Sequence, residues 1–176
     1  MSHTSQPVFD PNKVVVFSDS MMQQMNEVVK KFPQDKEKSA LIRILHIAQA
    51  EYGWVSVPVM NKIAEFLKIQ AIEVYEVATF YTMFHLQPVG KHVLEVCRTG
   101  PCMLVGSDQL IEHIEKKLNI KVGETTSDGM FTLKTAECLG GCGYGPLLQC
   151  RNKYHEHLSI EKVDALIEQY RNGEIQ

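Results

Sequence analysis

The residues of this 176-residue chain best able to do chemistry are its five cysteines, all of which fall between positions 97 and 150. Cys97 and Cys102 form a C-x4-C pair (CRTGPC), and Cys138 and Cys142 form a C-x3-C pair (CLGGC). Thirty-five residues separate the pairs, and Cys150 stands apart. No C-x2-C occurs, so the dithiol redox motif and the common zinc-ribbon knuckle are both missing. The run Gly141-Cys142-Gly143-Tyr144-Gly145 lacks the third glycine of a dinucleotide fingerprint and is interrupted by Pro146. The N-terminus has no basic region followed by an apolar core. It also lacks Arg and carries Asp10, which argues against a mitochondrial presequence. The expectation is therefore a reducing compartment, where an odd set of thiols serves as metal ligands or redox groups rather than as a disulfide framework.

The elements that must position these thiols can be read from hydrophobic period and punctuation. Residues 1–17 are polar with two prolines, then Val-Val-Val-Phe, and suggest a loosely docked arm. Ser18 is placed to cap a helix over 19–32, stopped by Pro33, with Met21, Met22, Met25, Val28 and Val29 as a core stripe. Helices follow over 36–52, stopped by Gly53, over 57–68 after Ser56, and over 70–85. His46, inside the second of these, has no second ligand at metal spacing and reads as structural or surface. The 70–85 helix carries Tyr75, Phe80, Tyr81 and Phe84, four of the fourteen aromatics, and is apolar almost all round. Such a helix needs cover on several sides. Packing between the helical region and the next domain is favoured over contact with another chain.

The pattern changes at Pro88-Val89-Gly90. His92–Cys97 alternates as a strand, 107–118 reads as a helix, and Asp128-Gly129 turns into a second strand over 130–137. A hairpin then pairs 147–150 with 154–158 through Arg151-Asn152-Lys153, and Ser159 caps a last helix over 160–171. The expected organisation is an arm and helical bundle over 1–88 and an α/β domain over 89–176.

Charge and hydropathy exclude two classes of partner. Residues 1–88 hold eight Lys/Arg against nine Asp/Glu, and 89–176 hold ten against twelve. Neither half is a basic field, so binding to nucleic acid or an anionic membrane by bulk charge is not expected. The longest uncharged stretch, Val77 to Gly90, has fourteen residues, short of the roughly twenty that a membrane helix needs.

Cys97 ends the first strand and Cys138 ends the second. If those strands are neighbours, both loops leave the same sheet edge and present four thiols to one point, which suits Zn²⁺ or an iron–sulfur cluster. Four of the eleven glycines lie in 140–145, and Thr99, Gly100 and Pro101 fill the other loop. Small residues let backbone N–H groups approach cluster sulfurs, which favours the iron–sulfur alternative over zinc. No histidine sits in either loop, so a His₂Cys₂ site is disfavoured. A two-iron cluster on four thiolates is formally a dianion. Arg98 would favour its reduction and Glu95 and Glu137 oppose it, unless all three are solvated flanks. Cys150 follows Leu147 and Leu148 on a strand and reads as an inert buried thiol.

From about residue 36 to 170 the chain resembles the small thioredoxin-like [2Fe–2S] component, the E subunit, of bacterial NADH:quinone oxidoreductase, respiratory complex I. The likeness rests on AQAEYGWVSVPVMNKIAEFL, VYEVATFYTMF, VCRTGPCMLVGSD and ECLGGCGYGP. It implies an α+β fold, with an N-terminal helical bundle joined to a thioredoxin-like ferredoxin domain with a mixed β-sheet. It also implies that Cys97, Cys102, Cys138 and Cys142 bind one [2Fe–2S] cluster, each pair on one iron.

The resemblance further implies an electron-transfer subunit with no complete active site of its own. Its cluster would exchange single electrons with the FMN of an adjacent NADH-oxidising flavoprotein subunit. Other peripheral-arm subunits would surround it, on the cytoplasmic side of the inner membrane. Many relatives have Ala at Gly141 and Arg at Val105, and neither departure removes a ligand. The same architecture serves NAD(P)-linked hydrogenases and formate dehydrogenases. A zinc-stabilised interaction module is the alternative of a different class, and a thiol oxidoreductase lacks an attacking and resolving pair.

Overall fold

In the computed structural model, residues 15–175 are described; most of the expected N-terminal arm lies outside them. The chain divides into two compact units after Pro88.

The first unit is helical. Helix α1 spans Asp19–Val29, and the Ser18 hydroxyl accepts from the Met21 amide. Met21 and Met25 are buried, with Met22, Val28 and Val29 packed at the core's margin. A 3-10 turn, Glu37–Ala40, leads into α2, Leu41–Tyr52, which Gly53 ends in the left-handed conformation at φ +77°. Ser56 caps α3, Val57–Leu67, with Pro58 in its first turn. Gln70 and Glu73 form a reciprocal cap on α4, Ala71–Phe80. His46 on α2 is half-buried, 5.0 Å from the Phe84 ring, and burial lowers its pKa.

Helix α4 ends five residues short of the expected stop at 85. The Thr79 hydroxyl donates back to the Tyr75 carbonyl at 2.6 Å, which competes with continuation of the helix. Gln49 on α2 then takes over the following backbone: its side-chain amide donates to the Met83 carbonyl at 2.9 Å and accepts from the His85 amide at 2.6 Å. Unwinding in this way sinks Phe84 and Leu86 into the core. Phe80 and Ile72 stay exposed, so the apolar character of α4 exceeds what the first unit buries.

The second unit is a four-stranded mixed sheet, in the order β2-β1-β3-β4, with helices. Its elements are β1 (His92–Cys97), α5 (Gly100–Leu104), α6 (Ser107–Leu118), β2 (Phe131–Ala136), β3 (Leu148–Cys150), β4 (Lys153–His155) and α7 (Ile160–Asn172). Strand β1 runs parallel to β2, with Cys97 opposite Ala136, and antiparallel to β3. The hairpin turn shrinks to Arg151-Asn152, because Lys153 pairs with Cys150. Side chains alternate as a pleated strand requires. Leu94 and Val96 on β1, with Phe131 and Leu133 on β2, join Ile114 of α6 and Ile167 of α7 in one core. Cys150 is fully buried in it, and burial pushes its thiol up.

Two positions in this unit are tightly constrained. A Cβ on Gly90 would lie 2.8 Å from the Phe131 carbonyl carbon and 2.9 Å from its nitrogen, so the approach of this segment to β2 admits only glycine. His92 is buried between Phe131 and Tyr170, 5.7 and 4.7 Å away by ring centroid, and neither ring nitrogen has a hydrogen-bond partner. Burial, helped by the charges of Arg151 and Lys91, lowers its pKa and keeps it neutral.

Gly90→Ala is expected to destabilise the protein by roughly 1–3 kcal/mol, through a backbone clash no rotamer relieves; a lowered thermal midpoint checks this. A histidine held neutral by folding binds fewer protons than its unfolded form, so its contribution to stability is lost as pH falls through the unfolded value near ~6.5. The urea midpoint of the wild type should drop below that pH more steeply than that of His92→Phe.

Candidate metal centre

The parallel register of β1 and β2 sends both cysteine segments out of the same end of the sheet. Cys97 is the last residue of β1, and its amide donates to the Leu147 carbonyl at 3.1 Å. The segment after it is not the open loop that C-x4-C suggests. Pro101 in the first turn starts the short helix α5, and the Met103 amide donates to the Thr99 carbonyl at 2.9 Å. Cys102 therefore sits on a helix, turned inward. Cys97 and Cys102 are buried and form a small cluster with Leu147, with Leu139 packed against it. Cys138 and Cys142 are exposed. Cys142 opens a 3-10 turn that runs to Tyr144.

Polar groups from both segments act on the sulfurs. The Cys97 sulfur lies 3.4 Å from the Thr99 hydroxyl. The Thr99 amide, the Leu139 amide of the other cysteine segment and the Cys102 thiol also act on it to lower its pKa. Burial pushes the Cys97 thiol up, but these donors outweigh it and hold the group below the ordinary thiol value. Burial and the bond shared with Cys97 push Cys102 up to about 11, against the Leu147 amide, which acts to lower it. The Gly140 amide donates to the Cys138 sulfur at 3.3 Å. Successive amides, Leu139 and Gly140, thus act on two different sulfurs, the second by a hydrogen bond, with Gly140 left-handed at φ +73°. Consecutive N–H groups of this kind make an anion-binding concavity.

The structure pairs Cys97 with Cys102 and places Cys142 close enough for its charge to act on Cys102. Cys138 is not drawn into that group by its side chain. Among the described residues, no three or more His, Cys, Asp or Glu side chains converge on a point that could hold a metal ion. The donor set nevertheless suits a thiolate-bound group: four sulfurs at one sheet edge, no competing carboxylate or imidazole in either segment, and the Gly140 N–H already directed at the Cys138 sulfur. A Cβ on Gly145 would stand 3.3 Å from the Cys102 sulfur and 3.0 Å from Val105 Cγ2, so glycine there keeps the cradle open. At Gly141 an Ala Cβ would meet Leu147 Cδ1 at 3.1 Å, and Leu147 would have to give way slightly.

The flanking charges divide. Arg98 and Glu137 are exposed, as solvated flanks would be. Glu95 is half-buried opposite Lys134 on β2; burial raises its carboxyl pKa, partly offset by Lys134. Sequence reasoning identifies Thr99 and the glycine run, but it misses the Leu139 and Leu147 amides, helix α5 and Tyr154. The Tyr154 hydroxyl donates to the Leu139 carbonyl at 2.9 Å. Amides of apolar residues carry no signature in a sequence, and Tyr154 reaches the site only through the hairpin.

No helix among the described residues is long and apolar enough to cross a membrane. Residues 25–171 match the thioredoxin-like [2Fe–2S] ferredoxin family. The chain is 41% identical over 155 residues to the E 2 subunit of NADH-quinone oxidoreductase from Rhizobium meliloti (strain 1021), covering 88% of this chain and 91% of that one. It is 44% identical over 147 residues to the E subunit of NADH-quinone oxidoreductase from Rickettsia felis, covering 83% and 88%. Its fold is similar to part of an NAD⁺-reducing [NiFe]-hydrogenase in the air-oxidized state, with a TM-score of 0.67 at 20% identity. That likeness covers 76% of this chain but only 23% of the hydrogenase chain, and it is one of fold. The chain belongs to the thioredoxin-like [2Fe–2S] ferredoxin family, among the E subunits of NADH-quinone oxidoreductase.

Proposed function

We propose that Cys97, Cys102, Cys138 and Cys142 hold one [2Fe–2S] cluster, and that the chain passes single electrons between it and the FMN of an adjacent NADH-oxidising flavoprotein subunit. The setting of this exchange is the peripheral arm of complex I, on the cytoplasmic side of the inner membrane. The observation that carries the reading is the in-register parallel pairing of β1 with β2, which brings the segments of Cys97 and Cys138 out of the same end of the sheet. When bound, a two-iron cluster accepts and gives up one electron at a time.

The chain's own contribution is positional and electrostatic. Strands β1 and β2 fix the two cysteine segments side by side. Helix α5 and Leu147 keep Cys97 and Cys102 away from water. The amides of Thr99, Leu139, Gly140 and Leu147 present partial positive charge to sulfur, which favours thiolate and stabilises added negative charge. Neither nicotinamide nor flavin chemistry is assigned to this chain, which carries no dinucleotide fingerprint. The likeness to a hydrogenase chain is one of fold alone, whereas the E subunits of NADH-quinone oxidoreductase match over most of both chains.

Anaerobically purified protein should contain about two irons and two acid-labile sulfides per chain, with a paramagnetic signal on reduction. One zinc without labile sulfide would overturn the assignment in favour of a zinc-stabilised module. Cys138→Ser should lose most of the iron and sulfide, whereas Cys150→Ser should retain both. Equal loss from the two variants would show the ligand set to be wrong.

A further inference from the structure

Tyr154 lies on β4, half exposed, yet its hydroxyl is fixed on the second cysteine segment. It donates to the Leu139 carbonyl oxygen at 2.9 Å. That oxygen is one end of the Leu139–Gly140 peptide. The other end of the same peptide is the Gly140 N–H, which donates to the Cys138 sulfur at 3.3 Å. Hydroxyl, peptide and sulfur therefore form one continuous chain. A bond accepted at the oxygen of a conjugated peptide increases the polarity of its N–H, so the two bonds reinforce each other. The bond to oxygen also fixes the peptide's rotation, which matters where Gly140 sits at φ +73° without side-chain contacts to hold it.

The platform behind Tyr154 is continuous with the sheet. Tyr154 pairs with Gln149 in the β3–β4 hairpin, and β3 pairs with β1, whose last residue is Cys97. Beyond β4, the His157 amide donates to the Tyr144 carbonyl at 2.8 Å and the Leu158 amide to the Pro146 carbonyl at 2.9 Å. Both ends of the second cysteine segment are thus referred to the same hairpin.

We infer that Tyr154 is a positioning residue for the redox centre: it orients and polarises the Leu139–Gly140 peptide so that the Gly140 N–H bears on the Cys138 sulfur and stabilises the reduced, more negatively charged state. The inference rests on the reading of Cys138 as a cluster ligand. Reduction adds one electron, delivered by a one-electron donor: the partner's flavin in the proposed function, dithionite through mediators in a titration. No covalent bond forms or breaks, and the tyrosine keeps its proton.

Redox titration of the full-length, cluster-loaded chain, followed by electron paramagnetic resonance at pH 7, tests this. Tyr154→Phe should keep its iron and sulfide while its reduced-to-oxidised ratio at a fixed potential falls about threefold, equivalent to a midpoint roughly 30 mV more negative. Replacement of Tyr154 by 3-fluorotyrosine, a stronger donor, should move the midpoint the opposite way. An unchanged midpoint in Tyr154→Phe, or shifts of the same sign in both variants, would overturn the inference while leaving the cluster assignment intact. Should Tyr154→Phe lose its cluster, the sign of the fluorotyrosine shift decides. A wild-type chain without iron and labile sulfide would overturn the function reading, and this inference with it.

Discussion

The in-register parallel pairing of β1 with β2 is the constraint on which the rest of the site depends. Cys97 stands opposite Ala136, and Cys138 follows two residues later, so both cysteine segments begin at one level of one sheet edge. A register shift would turn β-strand side chains to the wrong face and carry one segment away from the other. The pairing is itself secured by close backbone approach at Gly90, whose amide donates to the Thr132 hydroxyl at 2.6 Å. Below it, the core of Leu94, Val96, Phe131 and Leu133 is sealed by α6 and α7. Apolar packing at one end of the strands thereby fixes polar geometry at the other.

What this geometry gives to sulfur is asymmetric. The first pair is buried, with the Cys97 thiol held below the ordinary thiol value and burial pushing Cys102 up. The second pair is exposed and lies on a glycine-rich segment whose shape is set by backbone bonds. A thiolate-bound group there would thus have one protected side and one side open toward solvent or a partner. Exposed apolar side chains border it, among them Met103, Leu104 and Tyr144. An electron carrier is served by just such a short, unobstructed approach.

Much of this is legible in the residues, for identifiable reasons. Period-2 alternation marks His92–Cys97, and acid-first, lysine-last polarity marks 107–118, both with the observed limits. Cysteine spacing with the glycine run indicates where sulfur and backbone meet. Local pattern fails where distant groups intervene. Helix α4 stops at Phe80 because Gln49, more than thirty residues earlier, captures the Met83 and His85 backbone. Helix α5 reads as a loop in the sequence because five residues are too few to show a helical period. The Leu139 amide and the Tyr154 hydroxyl are hidden there because an amide has no residue type, and because a tyrosine's partner depends on hairpin register.

Sharing of one two-iron group by sulfurs from two neighbouring segments is tested most directly by an anomalous-scattering map at the iron edge, from crystals of the loaded protein grown without oxygen. Two adjacent iron peaks are expected between the segments, one nearest Cys97 and Cys102 and the other nearest Cys138 and Cys142. A single peak that appears only above the zinc edge, or iron bound at Cys150, would contradict that arrangement.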